Sequence, residues 1–250
     1  MQEKIKSEGK CLFCGETIAQ AAIIKHLSTH FNEIAKTGKP GVSFLVKVGT
    51  CKKWGATPYF LNLWVDGEAT LKTIDTFLRD IWLECCGHMS AFSLPKKKPS
   101  KKLELNPYSH LVDEYAEFPG EISMNKKAKD VFSKGLVLAY EYDFGSTTEL
   151  EITVENEFPV KTEEKIVLLS RNEPSKLMCC TCKKAPATQL CTVCMYDGSA
   201  IFCDKCAEKH AKKCNDFDDY ASMPIVNSPR MGVCGYEGGS IDMERDIYKA

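Results

Sequence analysis

Twelve residues in this 250-residue chain carry side chains and spacings suited to holding metal. Near the start stands Cys11-x2-Cys14-x11-His26-x3-His30. Further on stands Cys179-x2-Cys182-x8-Cys191-x2-Cys194-x8-Cys203-x2-Cys206-x3-His210-x3-Cys214. Thiolate and imidazole donors in sets of four suit tetrahedral zinc, and twelve donors suit three ions. Zinc is the expected cofactor, because soft sulfur donors favour it over harder cations.

The eight later donors could pair in sequence or crosswise. Helix geometry decides. The stretch "CAEKHAKKC" holds good helix formers and no Gly or Pro. As a helix it sets Cys206 and Cys214 about 12 Å apart along the axis. Two thiolates on one zinc lie only about 4 Å apart. His210 and Cys214, one turn apart, can share an ion. The crossed sets are therefore Cys179, Cys182, Cys203 and Cys206 on one zinc, and Cys191, Cys194, His210 and Cys214 on the other. In the first unit, His26 and His30 are four apart on a helix and face one side. Gly15 suits a tight knuckle after Cys14, and Ile18 and Ile23 can supply a small core.

The elements that position these donors follow from the pattern along the chain. "GKPG" at 38–41 ends the first helix, with Gly38 expected as a left-handed cap. "VSFLVKV", "PYFLNLWV", "LVLAYEYDFG", "LEITVENEF" and "EKIVLLS" read as strands. "TLKTIDTFLRDIWLECCG" reads as one helix, with Leu71, Ile74, Phe77, Leu78, Ile81, Trp82 and Cys85 on one face, Thr70 as N-cap and Gly87 as the stop. "PKKKPSKK" at 95–102 reads as an exposed loop. The expected fold class is α+β, a largely antiparallel sheet with a long helix, flanked by two small zinc-finger modules. The expected division is a Cys2His2-like finger at 1–38, a central domain at 42–170, a cross-braced finger at 177–216 and a tail at 217–250.

Charge and composition exclude little. Net charge is −1, which speaks neither for nor against nucleic acid. No apolar run approaches the ~20 residues of a membrane-spanning helix, and the polar start "MQEKIKSEGK" lacks a signal peptide's apolar stretch. A cytoplasmic protein without a membrane partner is expected. Fourteen cysteines in a reducing compartment point to metal rather than disulfides. Cys51, Cys85, Cys86, Cys180 and Cys234 fall outside the spacings and read as buried or free thiols.

Residues 179–214 resemble the MYND-type zinc finger along their full length, in donor type, order and crossed pairing. The resemblance implies a small module that binds partner proteins, often through proline-containing peptides. The first unit resembles a Cys2His2 finger with a spacer one residue short. A single finger of that kind reads about three base pairs, and its helix offers only Gln20 and Lys25 for bases, so protein contact or core packing is expected.

Residues 43–158 are similar to the Ri-plasmid open-reading-frame-three-like family, also described as mobile-element passenger proteins. The likeness rests on "IDTFLRDIWLECCGHMSAF", with His88 to Phe92, and on Tyr142, Asp143, Phe144 and Gly145 in "LVLAYEYDFGSTTELEITVE". The tail "NSPRMGVCGYEGG" resembles endings of finger-bearing members. The resemblance implies an α+β fold and a microbial setting. Members continue past the Gly with Asp, Trp and His. This chain has Ser146 to Leu150, which argues against a metal or acid–base site there.

Asp143 and Gly145 read as a turn between strands. His88 reads as a structural histidine beside a helix end. The expected function is a zinc-binding adaptor with a protein or peptide partner met near Tyr196 or Phe202. One alternative is a nucleic-acid binder using the Lys-rich loop and fingers, with salt-sensitive affinity. The other is an enzyme with a central pocket built from His88, His110, Asp113 or Asp143. No nucleophile motif or phosphate loop supports that last reading, and no catalytic residue is assigned.

Overall fold

The computed structural model describes residues 7–51, 58–95, 108–112, 120–197 and 200–246. Two compact units divide the chain: residues 1–77 with 89–172, and residues 78–88 with 173–250.

In the first unit, β1 (Glu8–Lys10) and β2 (Thr17–Ala19) form an antiparallel hairpin that leads into α1 (Gln20–Thr37). Then follow β3 (Pro40–Thr50), β4 (Phe60–Asp66), α2 (Leu71–Leu78), β5 (Ser90–Ser93), β6 (Glu121–Ile122), α3 (Ala128–Val131), β7 (Val137–Tyr142), β8 (Thr148–Val160) and β9 (Ile166–Arg171). Seven strands make one sheet in the order β6-β5-β7-β8-β3-β4-β9, and every pairing is antiparallel. The architecture is α+β, with a largely antiparallel sheet.

Burial follows from where strands sit. β7 alternates half-buried and buried positions, as a strand covered on one face should. Every residue of β4 is buried, so both faces of that strand are covered. One face is covered by α1. Its Ile23, Leu27 and Phe31, four residues apart, pack with Leu45, Phe60, Trp64, Phe158 and Val160. Phe31 stacks on Phe158 at a centroid distance of 4.2 Å and meets Trp64 edge-on. The first helix is thus a core element, one of the two roles expected for it.

Gly38 does end α1, donating its N–H to the Ile34 carbonyl at 2.8 Å. Its φ of −71° is not the left-handed cap expected. Close approach explains the glycine instead: a Cβ there would stand 2.9 Å from Val160 Cγ1.

α2 begins as expected, with the Thr70 hydroxyl accepting the Thr73 N–H at 3.2 Å. It does not run on to Gly87. After Leu78 the chain widens into a π-turn, Arg79–Leu83, and Glu84 is extended. Asp75, fully buried, accepts hydrogen bonds from Ser90 Oγ (2.6 Å) and Tyr140 OH (2.8 Å) and pairs with Lys72 Nζ (2.9 Å). These bonds pin the helix to β5 and β7.

In the second unit, β10 (Gln189–Cys191) lies between β11 (Ile201–Phe202) and β12 (Ser222–Pro224), both antiparallel to it, and α4 (Asp204–Ala211) follows β11. Two small cores form. One is largely cysteine, with Phe202, Ala207, Phe217 and Ala221; the other joins Ala187, Leu190, Met223 and Ile225. The tail folds onto the π-turn. Ser228 Oγ donates to the Trp82 carbonyl (2.7 Å) and the Ser240 N–H to that of Asp80 (2.7 Å). Gly239 lies so close that a Cβ would stand 2.5 Å from the Ile81 carbonyl oxygen.

Candidate metal centres

The twelve residues expected as ligands converge in three clusters. Each cluster's four donor atoms lie within 4.8 Å of one another. In the first, Cys11 Sγ is 3.6 Å from His30 Nε2, Cys14 Sγ is 3.3 Å from His26 Nε2, and the two Nε2 atoms are 3.3 Å apart. The other eight group crosswise, Cys179, Cys182, Cys203 and Cys206 together, and Cys191, Cys194, His210 and Cys214 together. Cys182 and Cys203 are 3.9 Å apart, and Cys191 and Cys214 are 4.0 Å apart. A tetrahedral zinc with ordinary bond lengths requires about 3.8 Å between two sulfurs and about 3.3 Å between two imidazole nitrogens. The donor spacing fits such an ion.

Local backbone explains the convergence. The Gly15 N–H donates to the Cys11 carbonyl (2.8 Å) and the Lys183 N–H to that of Cys179 (3.0 Å), so each Cys-x-x-Cys pair wraps one turn. Gly15 and Lys183, both directly after the second cysteine, have φ of +80° and +56°. On α1, His26 and His30 are one turn apart. α4 proper ends at Ala211, but the Cys214 N–H reaches back to the His210 carbonyl (2.9 Å), which keeps those two donors together.

Electrostatics favour a cation. Burial opposes ionisation at Cys179, yet the backbone N–H groups of Cys182, Cys203 and Thr181 draw its thiol down to about 6. Burial first, then the neighbouring thiols, push Cys194 and Cys206 up to about 12. Crowded thiols cannot all ionise unless a divalent cation offsets their repulsion. His210 Nε2 is buried with no hydrogen-bond partner among the described residues, its ring stacked on Phe202 at 4.3 Å. One nitrogen of the same ring lies within 4.8 Å of the Cys191, Cys194 and Cys214 thiols, within reach of a shared ion.

The sequence reading missed a fourth gathering: Cys85, Cys86, His88 and Cys234. The helical spacing had assigned Cys85 to a buried helix face, but the helix ends before it. Cys86 and Cys234 are free and exposed, so of the two readings, buried or free thiol, the second fits them. The available signal was the short run Cys-Cys-x-His. His88 belongs to this cluster rather than to a helix end.

Of the residues named for an enzyme, His88 lies in the cluster above, and Asp143 and His110 lie on separate turns. Asp143 has φ of +63°, and its Oδ1 accepts the N–H groups of Gly145 (3.0 Å) and Ser146 (3.2 Å), which makes it the turn expected from sequence. His110 sits exposed on a short 3-10 turn, Ser109–Leu111. Asp113 and most of the Lys-rich loop lie outside the described residues. A pocket over β7 and β8 is lined by residues including Cys51, Tyr140, Glu141, Glu149 and Glu151, and by neither His110 nor Asp143. Phe202, expected at a docking groove, is buried.

Fold and clusters together define an α+β chain whose Cys/His sets can hold metal ions. No protein family matches the chain, and no curated protein matches it. Among solved structures it is similar to a protein of unknown function from Methanosarcina mazei Go1. That match has a TM-score of 0.40 and 14% identity, over 71% of this chain and 86% of the other. No helix among the described residues is long and apolar enough to cross a membrane.

Proposed function

We propose that this chain is a zinc-stabilised adaptor whose C-terminal finger docks a proline-containing peptide of a partner protein. Zinc is held by the twelve residues of the three crossed and uncrossed sets. The exposed apolar side chains around that finger carry the reading. Val193 and Met195 flank the ligand Cys194 and are 41% and 39% exposed; Met178 is 43% exposed and Tyr220 67%. The Thr192 N–H donates to the Ala221 carbonyl (2.9 Å), so Val193 and Tyr220 extend from neighbouring chain segments. An exposed tyrosine beside aliphatic side chains is the chemistry that receives a polyproline segment. The likeness of residues 179–214 to the MYND finger supports the same partner. The likeness of residues 43–158 to the Ri-plasmid family supports a microbial, mobile-element setting.

The nucleic-acid alternative has less behind it. α4 exposes Lys205 and Lys209, but Asp204 and Glu208 on the same helix are exposed too. The test is a titration of zinc-loaded protein with proline-containing peptides, and in parallel with single- and double-stranded DNA and RNA at low and near-physiological salt. Peptide binding that Tyr220→Ala and Val193→Asp abolish is expected. Tight nucleic-acid binding that weakens steeply with salt yet survives near physiological strength would replace this reading with the alternative.

A further inference from the structure

We infer that Cys85, Cys86, His88 and Cys234 form a fourth metal site, taking a soft divalent cation of the zinc class, which clasps the π-turn segment to the tail. Cys86 Sγ lies 3.7 Å from both Cys85 Sγ and Cys234 Sγ, and His88 Nε2 lies 3.2 Å from Cys234 Sγ and 2.9 Å from Cys86 Sγ. A disulfide requires about 2.05 Å. The observed sulfur separations instead match the edge of a zinc tetrahedron, about 3.8 Å. All four donors fall within the same 4.8 Å as in the other clusters.

The backbone repeats the device of those clusters. Gly15 and Lys183 follow their cysteines with positive φ. Here Gly87 follows Cys86 with φ +77°, and Gly235 follows Cys234 with φ +68°. Cys234 itself has φ +50°, a conformation costly for a residue with a Cβ. Supporting groups fix the donors as a ligand's outer partners do. Arg79 donates to the His88 carbonyl (2.7 Å) and pairs with Glu84 (2.8 Å). Arg230, fully buried, directs Nη2 at Cys85 Sγ (3.4 Å). Three thiolates, a neutral imidazole and a divalent ion sum to one negative charge, which the Arg230 guanidinium balances. Binding releases three thiol protons and oxidises nothing.

The inference is independent of any docking partner, and its test separates it from the other three sites. The full chain is prepared reduced and metal-free, then titrated with zinc alone. Bound metal is counted by mass spectrometry, and alkylation of each cysteine is mapped. We expect four ions per wild-type chain, matching the four clusters. Cys86→Ser with Cys234→Ser should hold one ion fewer, and His88→Cys should keep the full number. In the wild type, zinc should slow alkylation of Cys86 and Cys234 about tenfold or more, which needs no variant to fold. Saturation with Cys86 and Cys234 still reacting at their metal-free rate overturns the site. So does a mapped Cys86–Cys234 disulfide in the zinc-loaded chain. Protection of these two with no protection at Cys11, Cys14 or Cys179 would uphold the fourth site and remove the three-site reading.

Discussion

Glu68 shows how single side chains fasten this fold. Its carboxylate pairs with Lys127 (2.6 Å) and Lys129 (2.5 Å), joining the turn after β4 to the start of α3. Hydrogen bonds from Lys127 and then Lys129 lower its pKa from 4.5 to about 2. The folded value lies below the unfolded one. The pair's contribution is therefore complete above 4.5 and is lost as pH falls through about 2. NMR titration of Glu68 should give a midpoint near 2, returning toward 4.5 when both lysines become alanine. A midpoint unmoved by that change would show that the lysines are not the cause. At this scale the Cys/His clusters that could hold metal were largely legible. The spacing of Cys179 to Cys214 and one helix constraint were enough to sort eight residues into two crossed sets. Cys85 and Cys234 were not legible, because Cys85 also fits an apolar helix position and Cys234 has no donor nearby in sequence.

Elements were legible where pattern and burial agree. β7 and β8 alternate, and five strand-like runs became strands. The long helix was misread in its second half because the apolar period of Ile81, Trp82 and Cys85 continues past Leu78. The period records burial, and a π-turn wrapped by the tail buries Ile81, Trp82 and Leu83 equally well. The packing of Gly239 onto that turn gives a prediction. Gly239→Ala would place a methyl 2.5 Å from the Ile81 carbonyl oxygen and 2.7 Å from that of Asp80, both backbone atoms unable to swing aside. Destabilisation by about 1–3 kcal/mol is expected, as for other overpacked sites, read from denaturant unfolding. Gly239→Ala with wild-type stability would mean the tail does not rest on the turn.

For the whole molecule, the two units differ in what holds them. The first has a conventional apolar core, with Phe31, Phe60, Trp64 and Phe158 among its members. The second has one core built largely of cysteines that crowd together. Small cores of this kind depend on their metal for folding energy. Chelation should therefore melt the second unit selectively. Hydrogen exchange after chelation is expected to become fast in β10 and α4 while β3, β4 and β8 stay protected. Equal protection before and after chelation would show that the cysteine core stands without metal.

The second unit takes residues 78–88 from the middle of the chain and completes them with residues 173–250. Cys86 waits for Cys234, which is 148 residues away. At roughly 5–20 residues per second, a ribosome makes that distance in about 7–30 s. During that interval Ile81, Trp82 and Leu83 lack the tail that packs on their turn. The nascent chain therefore passes through a period in which this short apolar stretch stands uncovered and open to a chaperone.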